Sequence, residues 1–71
     1  MKFSTEQMSR IEDVSSTIQQ EICHDVWIDK FSDASVHLAD EFFGVCYTDE
    51  AVDAIEAEMW KVGCPKTSVK V

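Results

Sequence analysis

Apolar residues recur at helical spacing through the first third of the chain. At 100° per residue, Met8, Ile11, Val14, Ile18, Ile22 and Val26 fall within an arc of about 120°. That is one continuous stripe, and it predicts a helix starting at Ser4 or Thr5. Ser4 and Gln7 stand in capping-box register, where each side chain satisfies a backbone N–H of the other residue. Trp27, Ile28 and Phe31 leave the stripe. The first helix is therefore expected to bend, end or change partner between Val26 and Ser32.

Ser32 and Asp33 are suitable N-caps for a second helix, and Gly44 is a suitable stop. Between them Ala34, Val36, Leu38, Ala39, Phe42 and Phe43 cover about 200° of the helix surface. An arc that wide predicts neighbours on both sides and the most buried helix of the three. Thr48 is placed to cap a third helix, with Asp49 and Glu50 at the positive end of its dipole. Tyr47 and Val52 are spaced for a hydrophobic staple. Ala51, Val52, Ile55, Met59 and Val62 make its apolar stripe, and Gly63 and Pro65 end it. Residues 66–71 alternate polar and apolar, as an irregular tail or a short strand would. No internal repeat or low-complexity stretch stands out.

These elements predict an all-α fold: residues 1–71 as a single acidic domain, a small bundle of about three helices with a long first helix and two shorter ones. A first helix running to Val26 would be about 33 Å long, against about 20 Å for each of the others. Part of its stripe, at Met8, Ile11 and Val14, is then expected to need a second copy of the chain. The three cysteines are widely spaced and odd in number, which argues against a disulfide framework. No stretch reaches the roughly 20 apolar residues of a membrane span. Polar residues from Ser4 onward leave no room for a signal peptide. A cytosolic protein is expected.

Charge changes the picture more than composition does. The chain carries 14 Asp+Glu against 6 Lys+Arg, a formal net charge of −8. All the acids but Glu6 lie between residues 11 and 60, where Lys30 is the only base. Surface helices commonly pair a Glu with a Lys one turn later, and like charges at that spacing destabilise. Here Asp49 precedes Asp53 by one turn. One account is a solvated face that keeps a small protein soluble. The other is a surface made to meet a basic one. Carboxylates four residues apart on a helix are separated by a rise of about 6 Å, of the order of the phosphate spacing along a nucleic-acid strand. Asp40, Glu41, Asp49, Glu50, Asp53 and Glu56 are the candidate contact residues, acting as fixed negative charges.

Other chemistry is poorly supported. Cys23, His24, His37, Cys46 and Cys64 form no Cys-x2-Cys or His-x3-His pair, so no metal site is expected. No cofactor motif is present. Paired carboxylates need differing environments inside a pocket to act as acid and base, and a helical domain this small has little room for one. A helix-turn-helix over residues 38–56 would place four carboxylates on the helix facing DNA, which argues against direct nucleic-acid binding. Trp27 and Trp60 lie off the stripes of their helices. Either they wrap the edge of a small core, or with Phe31 they form an apolar partner or dimer contact.

The sequence therefore points to a non-enzymatic binding protein. The first expectation is an inhibitor or decoy that occupies a basic, nucleic-acid-binding surface of another protein. In size and acidity the chain is similar to small phage or mobile-element proteins of the anti-CRISPR and anti-restriction kind, a likeness of composition only. The second expectation is a helical adaptor, antitoxin-like protein or regulatory subunit that binds through Trp27, Phe31 and Trp60.

Overall fold

The computed structural model describes residues 2–62 and is a three-helix bundle: α1 (Thr5–Glu21), α2 (Trp27–Phe43) and α3 (Asp49–Lys61). Each helix packs on the other two. Among the described residues there is no strand. Gly63, Pro65, Cys64 and the tail 66–71 lie outside them.

The start of α1 follows its local signals. Ser4 Oγ accepts from the Gln7 N–H at 3.1 Å, and Gln7 Oε1 accepts from the Ser4 N–H at 2.9 Å. Its end does not. The helix stops at Glu21, five residues before the expected limit, and Ile22 and Cys23 are extended. No glycine or proline causes this. The indole N–H of Trp27 donates to the Ile22 carbonyl at 2.8 Å, replacing a bond that a continuing helix would have made. A 3₁₀ turn, His24–Val26, then leads directly into α2. The Val26 N–H bonds to the Cys23 carbonyl and the Trp27 N–H to the His24 carbonyl, and α2 starts without a side-chain cap. Ser32 and Asp33, expected to open the second helix, lie inside it.

α1 and α2 are both 17 residues long, and α3 has 13. The first helix is thus no longer than the second. Ile11 is fully buried, and Met8 and Val14 pack against the core. These residues of the stripe pack within the chain, Ile11 fully and Met8 and Val14 in part.

Gly44 ends α2 with φ 78° and ψ −170°, backbone that is essentially restricted to glycine. A second 3₁₀ turn, Gly44–Cys46, follows. Although a Cβ at Gly44 would meet nothing, Gly44→Ala is expected to cost about 1–3 kcal/mol through backbone strain alone. Thermal melting should show it as a fall of about 4 °C or more. Thr48 then caps α3, its Oγ1 accepting from the Ala51 N–H at 3.1 Å, while Tyr47 and Val52 pack against the core on either side.

The core contains Ile11, Ile18, Phe31, Leu38, Ala39, Ala51, Ile55 and Met59. Three polar residues are buried with them: Ser15, Gln19 and Ser35. Ser15 Oγ donates to the Met59 carbonyl at 2.7 Å, and Gln19 Nε2 donates to the Val62 carbonyl at 2.7 Å. Both acceptors are at the end of α3, past the last i→i−4 bonds, and the Met59 carbonyl also accepts from the Val62 N–H at 3.2 Å. The small side chains Ser15, Ser35, Ala39 and Ala51 let the helix backbones approach closely.

The structure shows a periodicity that the sequence reading did not find. Buried Ile11, Ser15, Ile18 and Gln19 recur twenty residues later as Phe31, Ser35, Leu38 and Ala39. The 3₁₀ turns His24–Val26 and Gly44–Cys46 recur at the same interval. Asp13/Asp33, Ser15/Ser35, Glu21/Glu41 and Asp29/Asp49 are identical across it.

Candidate partner-binding surface

The six expected acidic residues do not form one group. Asp49, Asp53 and Glu56 fall within about 60° on the outward side of α3. Glu50 lies about 60° beyond them, on the other flank of the helix. On α2, Asp40 points away from the core, whereas Glu41 lies about 100° from it and turns toward α1. There Arg10 grips Glu41 with both arms of its guanidinium, at 2.9 and 3.0 Å. This ion pair is half-exposed, of a kind worth about 0.2–1 kcal/mol, and it commits Glu41 within the chain.

Two residues that the sequence reading left out complete the α2 row. Asp29, Asp33 and Asp40 fall within about 40° of one another on the outward side. Placing the helix start at Ser32 hid this alignment. Starting α2 at Trp27 puts Asp29 in its first turn and Asp33 one turn further on. The structure therefore presents two acidic rows, Asp29–Asp33–Asp40 and Asp49–Asp53–Glu56. All six side chains are exposed except Glu56, which is half-buried. Two ion pairs form among the described residues, Arg10–Glu41 and Glu58–Lys61, and neither uses a carboxylate of these rows.

The aromatic residues divide as well. Phe31 is fully buried and cannot touch a partner, contrary to its expected role. The edge of Trp60 packs on it with ring centroids 4.5 Å apart, and Trp27 stacks on it at 6.2 Å. Trp27 is also held by its bond to Ile22 and by an edge contact with His24 at 4.6 Å. Trp60 alone of the three keeps a large exposed area, over 44% of its surface.

A surface pocket of about 340 Å³, lined by Glu6, Gln7, Arg10, Glu41 and Phe42, has its one cation already engaged by Glu41. Among the described residues no three His, Cys, Asp or Glu side chains converge as a metal site would need. Cys23 and Cys46 are exposed free thiols at opposite ends of α2. No described helix is long and apolar enough to cross a membrane. Carboxylates in rows on convex helices attract cationic groups, but they enclose no space in which a substrate could be oriented. No protein family matches the chain, nor does any curated protein or solved structure.

Proposed function

We propose that the chain is a non-enzymatic acidic binding protein, an inhibitor or decoy that occupies a basic, nucleic-acid-binding surface of another protein. The two carboxylate rows on the outward sides of α2 and α3 carry this reading. Within each row neighbouring acids stand one to two turns apart, a rise of about 5–11 Å, which a groove built to follow phosphates can match. Like charges so placed weaken a helix by a few tenths of a kcal/mol per pair, a cost that a binding role would explain. Fields of this sign steer association with basic partners and make it salt-sensitive.

The test immobilises the wild-type chain and an Asp49→Lys/Asp53→Lys variant of unchanged circular dichroism, and exposes both to host lysate. The wild type should retain a basic nucleic-acid-binding protein and release it at about 0.5 M salt, where the screening length falls to a few ångströms. The variant should retain it at least tenfold less, and adding duplex DNA should compete. Retention that survives both salt and charge reversal but is lost in Trp60→Ala would replace this reading with the adaptor or regulatory subunit.

A further inference from the structure

On α2 no large apolar side chain is more exposed than Ile28, at 61%, and Val26, just before the helix, is 39% exposed. The two flank Trp27 in the chain, at the end of the bundle where α1 stops and α2 starts. α3 finishes at this same end. The Trp60 ring lies 6.5 Å from that of Trp27, and the Val62 carbonyl accepts from Gln19 in the last turn of α1 at 2.7 Å. Three exposed acids belong to this corner: Glu21, Asp25 and Asp29. Among the described residues none of the three pairs with a cation. The negative pole of the α1 dipole also points here, with no basic residue in its last turn. The corner is thus both apolar and uncompensated in charge, and the chain continues from Val62 directly beside it.

We infer that residues 63–71 strap this corner, with Val69 and Val71 against Ile28 and Val26, and with Lys66 and Lys70 beside Glu21, Asp25 and Asp29. Those nine residues carry two lysines and no acid. Fully extended they span up to about 30 Å, whereas a helix with its side chains is about 10–12 Å across, so they reach either side of the first turn of α2. Charge and tethering select this occupant. A second copy of the chain would bring its own Glu21, Asp25 and Asp29 against the same three acids. A basic peptide from elsewhere has the right sign, but it competes with a segment anchored at Val62, whose effective concentration is of millimolar order. The strap stands independently of the acidic-surface reading and meets it at one residue. Asp29 begins the α2 row, so a partner lying along that row has to displace the tail there.

Methyl NMR of the full chain provides the test. At about 0.05 M salt, nuclear Overhauser contacts should join the Val69 or Val71 methyls to those of Ile28 and Val26. At about 0.5 M salt, where the screening length is a few ångströms, they should weaken at least threefold. A Lys66→Glu/Lys70→Glu variant changes two positions beyond α3 and should keep the helical circular dichroism. It should lose the contacts and shift the Val26 and Ile28 signals, while those of Val36 and Phe43 stay in place. The salt comparison needs no substitution and decides on its own if the variant misfolds. Contacts absent from the wild type, or lying elsewhere on the bundle, would overturn the strap. So would contacts that persist undiminished in the variant or at high salt, since charge would then not select the occupant. Contacts between labelled and unlabelled chains in a mixed sample would assign the corner to a second copy instead. The lysate experiment judges the acidic reading separately.

Discussion

Phe31→Ala is expected to remove about 3–5 kcal/mol of stability, the usual cost of truncating a fully buried aromatic ring. A domain of this length commonly holds about 4–11 kcal/mol in all. The variant should therefore lose a large share of its stability and melt well below the wild type. The reason lies in what the ring touches. Phe31 is fully buried in α2, meets the edge of Trp60 from α3, and stacks against Trp27. Two of its neighbours are held elsewhere, Trp27 by the Ile22 carbonyl and Ser35 by a bond to the Ser32 carbonyl at 2.8 Å, which limits collapse into the space. Urea titration followed by tryptophan emission would measure the loss. A change below about 1 kcal/mol would mean that the aromatic cluster is not the centre of the core.

Ser15→Ala gives a case in which two physical effects have opposite sign. Alanine is the better helix former by about 0.5 kcal/mol, so propensity alone predicts a more stable protein. Burial predicts the reverse. The Ser15 hydroxyl donates to the Met59 carbonyl and accepts from Gln19 Nε2 at 3.2 Å, in a fully closed interior. Without it the Met59 carbonyl keeps only the Val62 N–H at 3.2 Å, and losing a buried hydrogen bond between α1 and α3 costs about 1–3 kcal/mol. A net loss of about 1–2 kcal/mol is expected, with faster amide exchange in the last turn of α3. A variant as stable as the wild type would show that the bond contributes little.

Local signals in the sequence were enough wherever a helix end is made by adjacent residues. Ser4 with Gln7, Thr48 with Ala51, and Gly44 each act within four positions of themselves, and each end forms where its signal lies. The junction of α1 and α2 was not legible, because its cause is tertiary. Trp27 reaches back five residues to bond Ile22, and no breaker marks the spot. That one displaced boundary had consequences downstream. It lengthened the first helix, which suggested a stripe needing a second copy, and it hid Asp29 and Asp33 from the acidic row. Glu41 was misread for a related reason: its partner Arg10 lies 31 residues away, beyond the reach of any helical spacing rule. Polar Ser15, Gln19 and Ser35 gave no sign of burial, since only the helix partners decide whether so small or flexible a polar group ends up inside. The width of the α2 apolar arc was legible, but not that Val36 and Phe43 at its edge stay exposed.

The bonds from Ser15 and Gln19 to the closing carbonyls of α3 tie the first helix directly to the third. While the chain is being synthesised, α1 and α2 emerge before the segment that answers these two side chains exists. Paired alone, they would leave the apolar residues that Ala51, Ile55 and Met59 cover in contact with water. The third helix thus completes a core that the first two share, and the bundle is expected to fold as one cooperative unit rather than helix by helix.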